Sequence, residues 1–306
     1  MSNIAAPVHY AISHETCYDY AGMVSHGHHL AHLSPRNTAS QTVHGHSLKC
    51  QPQPVESVQI RDYFGNNTLN FRITESHDRL CVLTTSAIEV RYQEPDEALS
   101  KQAWEESRFA GSFQSEHVEL AEMSLPSPHV ECLPQSLKYA NRFFSPQRPW
   151  LEAMLDLTCH IRREFNYDPR ATTISTPVAE VLRTRAGVCQ DFAHLMISCL
   201  RSLKVPARYV SGYILNEPPP GTEKLVGSDA SHAWLEAWCP GLGWVGFDPT
   251  NGKLANHEFI TLAWGRDYMD VTPLRGVVLG GGSHTLDVKV NVTRTPAPVP
   301  MATAQN

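Results

Sequence analysis

The chain has 306 residues, of which 42% are hydrophobic and 18% charged, a composition that supports a sizeable folded core and excludes a wholly disordered chain. Lys and Arg total 25 against 31 Asp and Glu, and the basic residues are scattered, so the basic patch typical of a nucleic-acid-binding protein is missing. No apolar run approaches the ~18 residues that a membrane helix needs. We therefore expect a globular protein of about two domains, without nucleic-acid or membrane partners.

The first 96 residues have the two-residue periodicity of half-buried strands. Leu69, Phe71 and Ile73 alternate with polar residues, and turn-forming residues at 64–67 separate two strand-like segments. This pattern predicts an antiparallel β-sandwich-like domain over residues 1–96. The first residues contain no basic segment followed by a long apolar stretch, so no secretory signal is visible and the cytoplasm is the expected location.

Helical spacing begins after residue 97. Apolar residues three and four apart predict one amphipathic helix over 151–165, and a second helix that begins at Cys189 and ends before Pro206. Short strands are predicted at 208–215, 231–238, 244–248 and 286–292. Residues 97–294 thus form the second predicted domain, of α+β class, and the proline-containing residues 295–306 are predicted to be a disordered tail.

One of the eight cysteines has the surroundings of a nucleophile. No two cysteines are closer than ten residues, which excludes a CxxC zinc knuckle, and most are expected to be buried small hydrophobes. Cys189 differs because it opens a helix directly after Gly187 and Val188. The unpaired amides and the dipole of a helix N-terminus stabilise a thiolate, and the Cys189 N–H is positioned to donate to an oxyanion.

His232 and Asp248 lie on two predicted strands joined by a short turn at 240–243. If Trp238 pairs with Leu242, Asp248 lies directly opposite His232, and if Trp238 pairs with Trp244, the two are diagonal neighbours on one face. Either register lets the carboxylate fix one imidazole nitrogen while the other accepts the thiol proton. The competing interpretations are an ordinary histidine, one of 16 in the chain, and a turn aspartate before a proline.

Histidine-rich segments at 26–32 and 44–46 raise the alternative of a metal site. On a strand, His26, His28 and His32 share one face, but no carboxylate or cysteine stands nearby in sequence. A solvated face explains the pattern equally well, and we predict no metal and no cofactor.

Four segments resemble the transglutaminase-like superfamily: GVCQDFAHL at 187–195, LRSLKVPARYVSGY at 200–213, SHAWLEAW at 231–238 and GWVGFDPTNG at 243–252. The first third and residues 263–276 resemble bacterial members described as candidate cysteine proteases. The resemblance implies a papain-like α+β transglutaminase core, with Cys189 as nucleophile, His232 as general base and Asp248 as its orienting partner. It also implies an N-terminal β domain particular to the bacterial proteins.

Three further residues are candidates for oxyanion stabilisation or substrate binding. Tyr167 follows the predicted amphipathic helix at 151–165, Gln190 follows Cys189, and Trp234 shares strand parity with His232. For Trp234, packing in the core is the competing interpretation.

These features predict a thiol-dependent acyl-transfer enzyme that acts on a peptide, a protein or an amide-containing small molecule. Hydrolysis is favoured over transamidation, because water is always available whereas an amine needs its own binding site. The alternatives are protein-glutamine transamidation and a non-catalytic binding or scaffold protein that retains the fold.

Overall fold

The structure of the chain is a computed structural model that describes residues 6–109, 111, 118–216 and 231–297. A seven-stranded antiparallel sheet lies beside a helical layer packed on a five-stranded antiparallel sheet. This arrangement confirms the α+β class and the antiparallel N-terminal β domain, which takes the form of one curled sheet.

Within the described ranges, the strands of the curled sheet are β1 (Val8–Ser34), β2 (Gln41–Gln51), β3 (Glu56–Arg61), β4 (Asn67–Ile73), β5 (His77–Val90), β13 (Leu274–Gly280) and β14 (His284–Thr295). The other strands are β6 (Asn166–Tyr167), β7 (Ala186–Gly187), β8 (Ala207–Ile214), β9 (Ser231–Cys239), β10 (Gly243–Asp248), β11 (Lys253–Leu254) and β12 (Phe259–Gly265). The helices are α1 (Glu97–Ser100), α2 (Val118–Glu122), α3 (Pro134–Ala140), α4 (Trp150–Glu164), α5 (Val178–Thr184) and α6 (Cys189–Ser202). None of these helices is long and apolar enough to cross a bilayer.

The long strand β1 organises the curled sheet. Its first half pairs with β5 and β14, and its second half pairs with β4 and β13. Register shifts between Asp19 and Val24 interrupt its pairing with β5 and allow the strand to bend. The predicted hairpin is present, with Arg61 opposite Asn67 across the turn.

The C-terminal strands correct the predicted domain boundaries. Strands β13 and β14 complete the N-terminal sheet through β1, although the boundary at residue 97 assigned them to the second domain. Thr295 pairs with His9 and therefore belongs to β14 and not to the predicted tail. Periodicity reveals that a segment is a strand but not which distant strand it pairs with, so the error has a physical origin. Residues 298–306 of the tail lie outside the described part of the chain.

The α+β core follows the predicted elements closely. Helices α4 and α6 coincide with the predicted helices, and β8, β9 and β10 with the predicted strands. Strand β12 was not predicted, because its apolar residues lie on both sides of Thr261 and do not alternate as in a half-buried strand. The sheet order β11-β10-β9-β8-β12 places β9 at the centre, where α6 packs against it.

The two sheets share one hydrophobic core. Tyr10 and Ile12 of β1, with Ile88 of β5, pack in the same buried cluster as the residues of α4, α6 and β9. Two side-chain amides also cross the junction: Gln41 bonds both backbone groups of Thr261 at 2.8 Å, and Asn66 does the same with Trp264 at 2.8 and 2.9 Å. These amides continue the hydrogen bonding of β12, so the N-terminal sheet is fixed against the core that carries Cys189.

Two cysteines form a disulfide bond. Cys17 and Cys81, paired directly across β1 and β5, are joined, and the remaining six cysteines are free thiols. The two cysteines are 64 positions apart, and nothing in the sequence signals that they pair. Disulfide bonds persist mainly in oxidising compartments and are rare in the reducing cytoplasm. The cytoplasmic location expected from the sequence therefore stays a prediction.

Candidate active site

Cys189 is the first residue of α6, and the buried carboxylate of Asp191 holds the residues that precede this helix. Asp191 accepts hydrogen bonds from the Val188 N–H (2.8 Å) and from the Thr172 hydroxyl (2.6 Å). The first amides of a helix have no intrahelical partner, so those of Cys189 and Gln190 are available to a developing negative charge. Asp191 therefore orders the turn that presents the thiol.

Gly187 is required at this turn because of its contact with Asp191. A Cβ atom at Gly187 would lie 2.7 Å from the Asp191 Oδ2 atom, closer than side-chain contacts allow. Gly187 also pairs with Tyr167 in the two-stranded parallel sheet of β6 and β7, and its carbonyl accepts from the Asp168 N–H at 3.0 Å. The close packing fixes the position of the Cys189 backbone.

His232 and Asp248 meet at one end of the five-stranded sheet. Their Nε2 and Oδ2 atoms lie 2.9 Å apart, and His232 is 9% and Asp248 0% exposed. In the β9–β10 hairpin Trp244 pairs with Trp238, so the diagonal arrangement of the two predicted registers is present. Because Nε2 faces the carboxylate, Nδ1 is the imidazole nitrogen left for a second partner.

The Asp248 carboxylate is held by the turn that follows it. Its Oδ1 atom accepts from the N–H groups of Thr250 (2.9 Å) and Asn251 (3.2 Å), and its Oδ2 atom accepts from the Asn251 side chain at 2.6 Å. Asn251 was missed in the sequence, although the Asp-Pro-Thr-Asn-Gly segment is a recognisable turn in which an aspartate bonds its own backbone. These hydrogen bonds hold the carboxylate in the position in which it meets the His232 imidazole.

The electrostatics of the pair favour a charged imidazole. Burial lowers the pKa of His232, but hydrogen bonds with Asp248 and with the Cys189 side chain outweigh burial and raise it to about 10. Burial raises the pKa of Asp248, whereas the hydrogen bond from His232 and those from Asn251 hold it below its ordinary value. The structure therefore joins His232 to Asp248 by a hydrogen bond, and the Cys189 side chain lies close enough to His232 to raise the pKa of the imidazole.

Trp234 packs beneath the imidazole. Its ring is 1% exposed, lies 6.2 Å from the His232 ring in a near-parallel arrangement, and meets Phe259 edge-on at 5.2 Å. Gly212, opposite His232 in β8, leaves room for it, since a Cβ there would lie 2.6 Å from the Trp234 ring. Trp234 is thus placed to support the imidazole from within the core, and its role in substrate binding stays a prediction.

The other two candidates have different positions. Tyr167 is 52% exposed and meets Phe192 of α6 edge-on at 6.4 Å; burial, and then the nearby Cys189 and Asp191, raise its pKa. Gln190 donates its side-chain amide to the Ile174 carbonyl at 3.1 Å. Tyr167 therefore lies beside the thiol, whereas the side chain of Gln190 is engaged by a neighbouring loop.

A buried tyrosine near the thiol gave no signal in the sequence. The pKa of Tyr209 on β8 is raised well above its ordinary value, first by burial and then by Cys189. Its ring contacts His194 of α6 at a centroid distance of 5.0 Å. Only the packing of β8 against α6 brings Tyr209 to this position.

The predicted histidine face at 26–32 does not assemble as a cluster. His26 and His28 are exposed on β1, whereas His32 is buried and bonds the Thr272 carbonyl through Nδ1 at 3.0 Å. Its Nε2 atom lies 3.4 Å from Asp62. His32 is therefore held by protein groups.

The chain matches two family profiles. Residues 137–249 match the transglutaminase-like superfamily, and residues 10–89 match the bacterial transglutaminase-like N-terminal region. An uncharacterised protein of Mycobacterium tuberculosis is 38% identical over 291 residues, which cover 92% of this chain and 92% of that protein.

Two further similarities concern the fold and the core. A structure from Cytophaga hutchinsonii, described as a candidate cysteine protease, covers 98% of this chain and 95% of its own with a TM-score of 0.79 and 21% identity, which shows a common fold. A protein-glutamine gamma-glutamyltransferase of Pseudomonas aeruginosa is 36% identical over 102 residues, covering 31% of this chain and 15% of that protein.

Proposed function

Because the chain belongs to the transglutaminase-like superfamily, we propose that it is a thiol-dependent acyl-transfer enzyme that hydrolyses peptide or side-chain amide bonds through Cys189, His232 and Asp248. One observation carries the proposal: the His232 imidazole bonds the Asp248 carboxylate at 2.9 Å, and the Cys189 side chain beside it also raises the pKa of the imidazole. This is the arrangement that a base needs in order to take a thiol proton while a carboxylate orients it.

The first half of the reaction forms a thioester. The Cys189 sulfur attacks the carbonyl carbon of the amide while its proton passes to His232 Nδ1, and the carbonyl oxygen becomes an oxyanion. The N–H groups at the start of α6 point toward that oxyanion. The C–N bond then breaks, and the imidazolium gives its proton to the departing amine.

The second half regenerates the thiol. A water molecule attacks the thioester carbonyl and gives a proton to His232, and the C–S bond breaks to release a carboxylic acid. The proton on the imidazolium then neutralises the Cys189 thiolate. Asp248 stays ionised throughout, since His232 and the turn at Asn251 both stabilise its charged form.

Transamidation is the second candidate, favoured by the similarity to the Pseudomonas aeruginosa protein-glutamine gamma-glutamyltransferase. Only the second half differs: a primary amine replaces water as the attacking group and the product is a new amide. The substrates proposed for both reactions are peptides, proteins or amide-containing small molecules.

The test measures alkylation by iodoacetamide at each cysteine as a function of pH, in the native chain and in a His232→Ala variant. We expect Cys189 to react selectively below about pH 7 and only when His232 is present, because a free thiol has a pKa near ~8.5. Cys132 and Cys159, which are also free and partly exposed, are internal controls.

A screen of glutamine- and peptide-bond-containing substrates, with and without a primary alkylamine, then separates the two reactions by product mass. Cys189→Ala should abolish turnover with its circular dichroism unchanged. Full turnover in Cys189→Ala, or free cysteines that all react alike, would reject the proposal and favour a scaffold protein.

A further inference from the structure

Three metal-ligating side chains meet on neighbouring strands of the curled sheet. His9 of β1 lies directly opposite Glu89 of β5, and β2 runs along the other side of β5. The register of β2 shifts between Val43, which pairs with Ile88, and Gly45, so His44 is the extra residue of a β-bulge next to the Glu89 position. Bulges redirect side chains, and this one brings His44 to the same carboxylate that His9 faces.

The ligand atoms converge on one oxygen of Glu89. Its Oε2 atom lies 3.0 Å from His44 Nε2 and 3.9 Å from His9 Nδ1, and all three atoms lie within 4.8 Å of one another. The other oxygen, Oε1, accepts from the Arg91 guanidinium. Arg91 thus fixes the carboxylate with a single oxygen directed at the two histidines.

One nitrogen in this group has no hydrogen-bond partner among the described residues. The Nδ1 atom of His9 is buried and makes no hydrogen bond within the described part of the chain. An unsatisfied buried nitrogen destabilises the fold, whereas a bound cation would use its lone pair. The side chain of His44 is 33% exposed, so solvent can reach the group from its side.

The spacing suits a small transition-metal ion. Ligands about 2.0–2.1 Å from a tetrahedral zinc ion lie roughly 3.3 Å from one another, so none of the present separations has to change by more than about 1.5 Å. Two imidazoles and one carboxylate are a ligand set that zinc accepts, with a fourth position left open.

We propose that His9, His44 and Glu89 form a binding site for a divalent transition-metal ion, with Zn²⁺ as the representative ligand. This site departs from the sequence-based expectation that the chain holds no metal. The histidines at 26–32 are not part of it, and His44 was visible in the sequence only as a member of the segment at 44–46.

The site is separate from Cys189. Tyr10 and Ile88, the neighbours of His9 and Glu89 along their strands, face the shared core, so His9 and Glu89 project from the opposite face of the sheet. The ion is therefore independent of the acyl-transfer reaction, and we infer that it ties β2, β5 and β1 together.

The test is a calorimetric titration of the full chain with ZnCl₂, after a chelator has removed any bound metal. All proteins carry Cys189→Ala, because a thiol beside His232 is itself a zinc ligand. We expect one ion per chain. Glu89→Gln and His44→Ala should each weaken zinc binding by more than the roughly 10- to 100-fold that is typical when an outer-shell group is altered. His28→Ala, which removes an exposed histidine of β1, is the matched control and should bind as the parent does.

Cobalt provides an independent readout. Co²⁺ at this site should give visible absorption without a sulfur-to-metal charge-transfer band, because no cysteine is a ligand. The proposal is overturned if the parent binds no stoichiometric zinc, if Glu89→Gln and His44→Ala bind as tightly as the parent, or if the cobalt spectrum shows sulfur ligation. Thermal unfolding of each variant checks its fold, and His44→Ala, at the more exposed position, decides the result if Glu89→Gln does not fold.

Discussion

The carboxylate of Asp248 lies 2.9 Å from the imidazole of His232, although the two residues are diagonal and not directly opposite in their hairpin. The diagonal contact is possible because the strand register places both side chains on one face and the turn at Asn251 directs the carboxylate. The imidazole and the carboxylate are therefore held together by the β9–β10 hairpin and the turn that follows it.

Asp248→Asn should lower kcat/KM by about 10³- to 10⁴-fold, because an amide neither fixes the imidazole tautomer nor stabilises the imidazolium. The measurement is steady-state hydrolysis of a substrate from the screen, with Asp156→Asn, an exposed carboxylate on α4, as the control. A loss of less than tenfold would contradict the orienting role.

Gly187→Ala should destabilise the chain by about 1–3 kcal/mol, because the new Cβ would displace Asp191 from Val188 and Thr172. Urea unfolding measures the loss, and alkylation of Cys189 should slow as the helix start shifts. Gly22→Ala is the control, since the nearest atom to its Cβ would be 3.9 Å away. Equal stabilities of the two variants would show that the contact at Gly187 relaxes without cost.

His232 should make the stability of the chain depend on pH. Because its folded pKa, about 10, lies above the ordinary 6.5, its contribution is complete below pH 6.5 and is lost as the pH rises through about 10. The difference in unfolding free energy between the native chain and His232→Gln should therefore be larger near about pH 6 than near about pH 9.5.

Urea unfolding at both pH values measures this difference, with His28→Gln, a change at an exposed histidine of β1, as the matched control. A difference for His232→Gln that stays constant with pH would mean that the imidazole gains no proton affinity on folding.

Tyr167→Phe tests the second oxyanion donor. If the Tyr167 hydroxyl bonds the oxyanion, the variant should lose about 10²- to 10³-fold in kcat with little change in KM. The control is Tyr63→Phe, at an exposed position in the turn between β3 and β4. An unchanged kcat would leave the N–H groups at the start of α6 as the principal donors.

The local pattern of the sequence located the residues of the candidate site. Helix spacing placed Cys189 at the start of α6, and strand parity limited His232 and Asp248 to registers in which they share a face. Such inferences succeed because helices and hairpins are governed by contacts between residues close in the chain.

Only the tertiary structure decided the long-range pairings. It joined β13 and β14 to β1, linked Cys17 to Cys81, brought Tyr209 near Cys189, and gathered His9, His44 and Glu89 from three strands. Each depends on the order of strands in a sheet or on the packing of a sheet against a helix. A two-residue period is the same whichever strand is the neighbour, so the sequence pattern by itself carries no information about those partners.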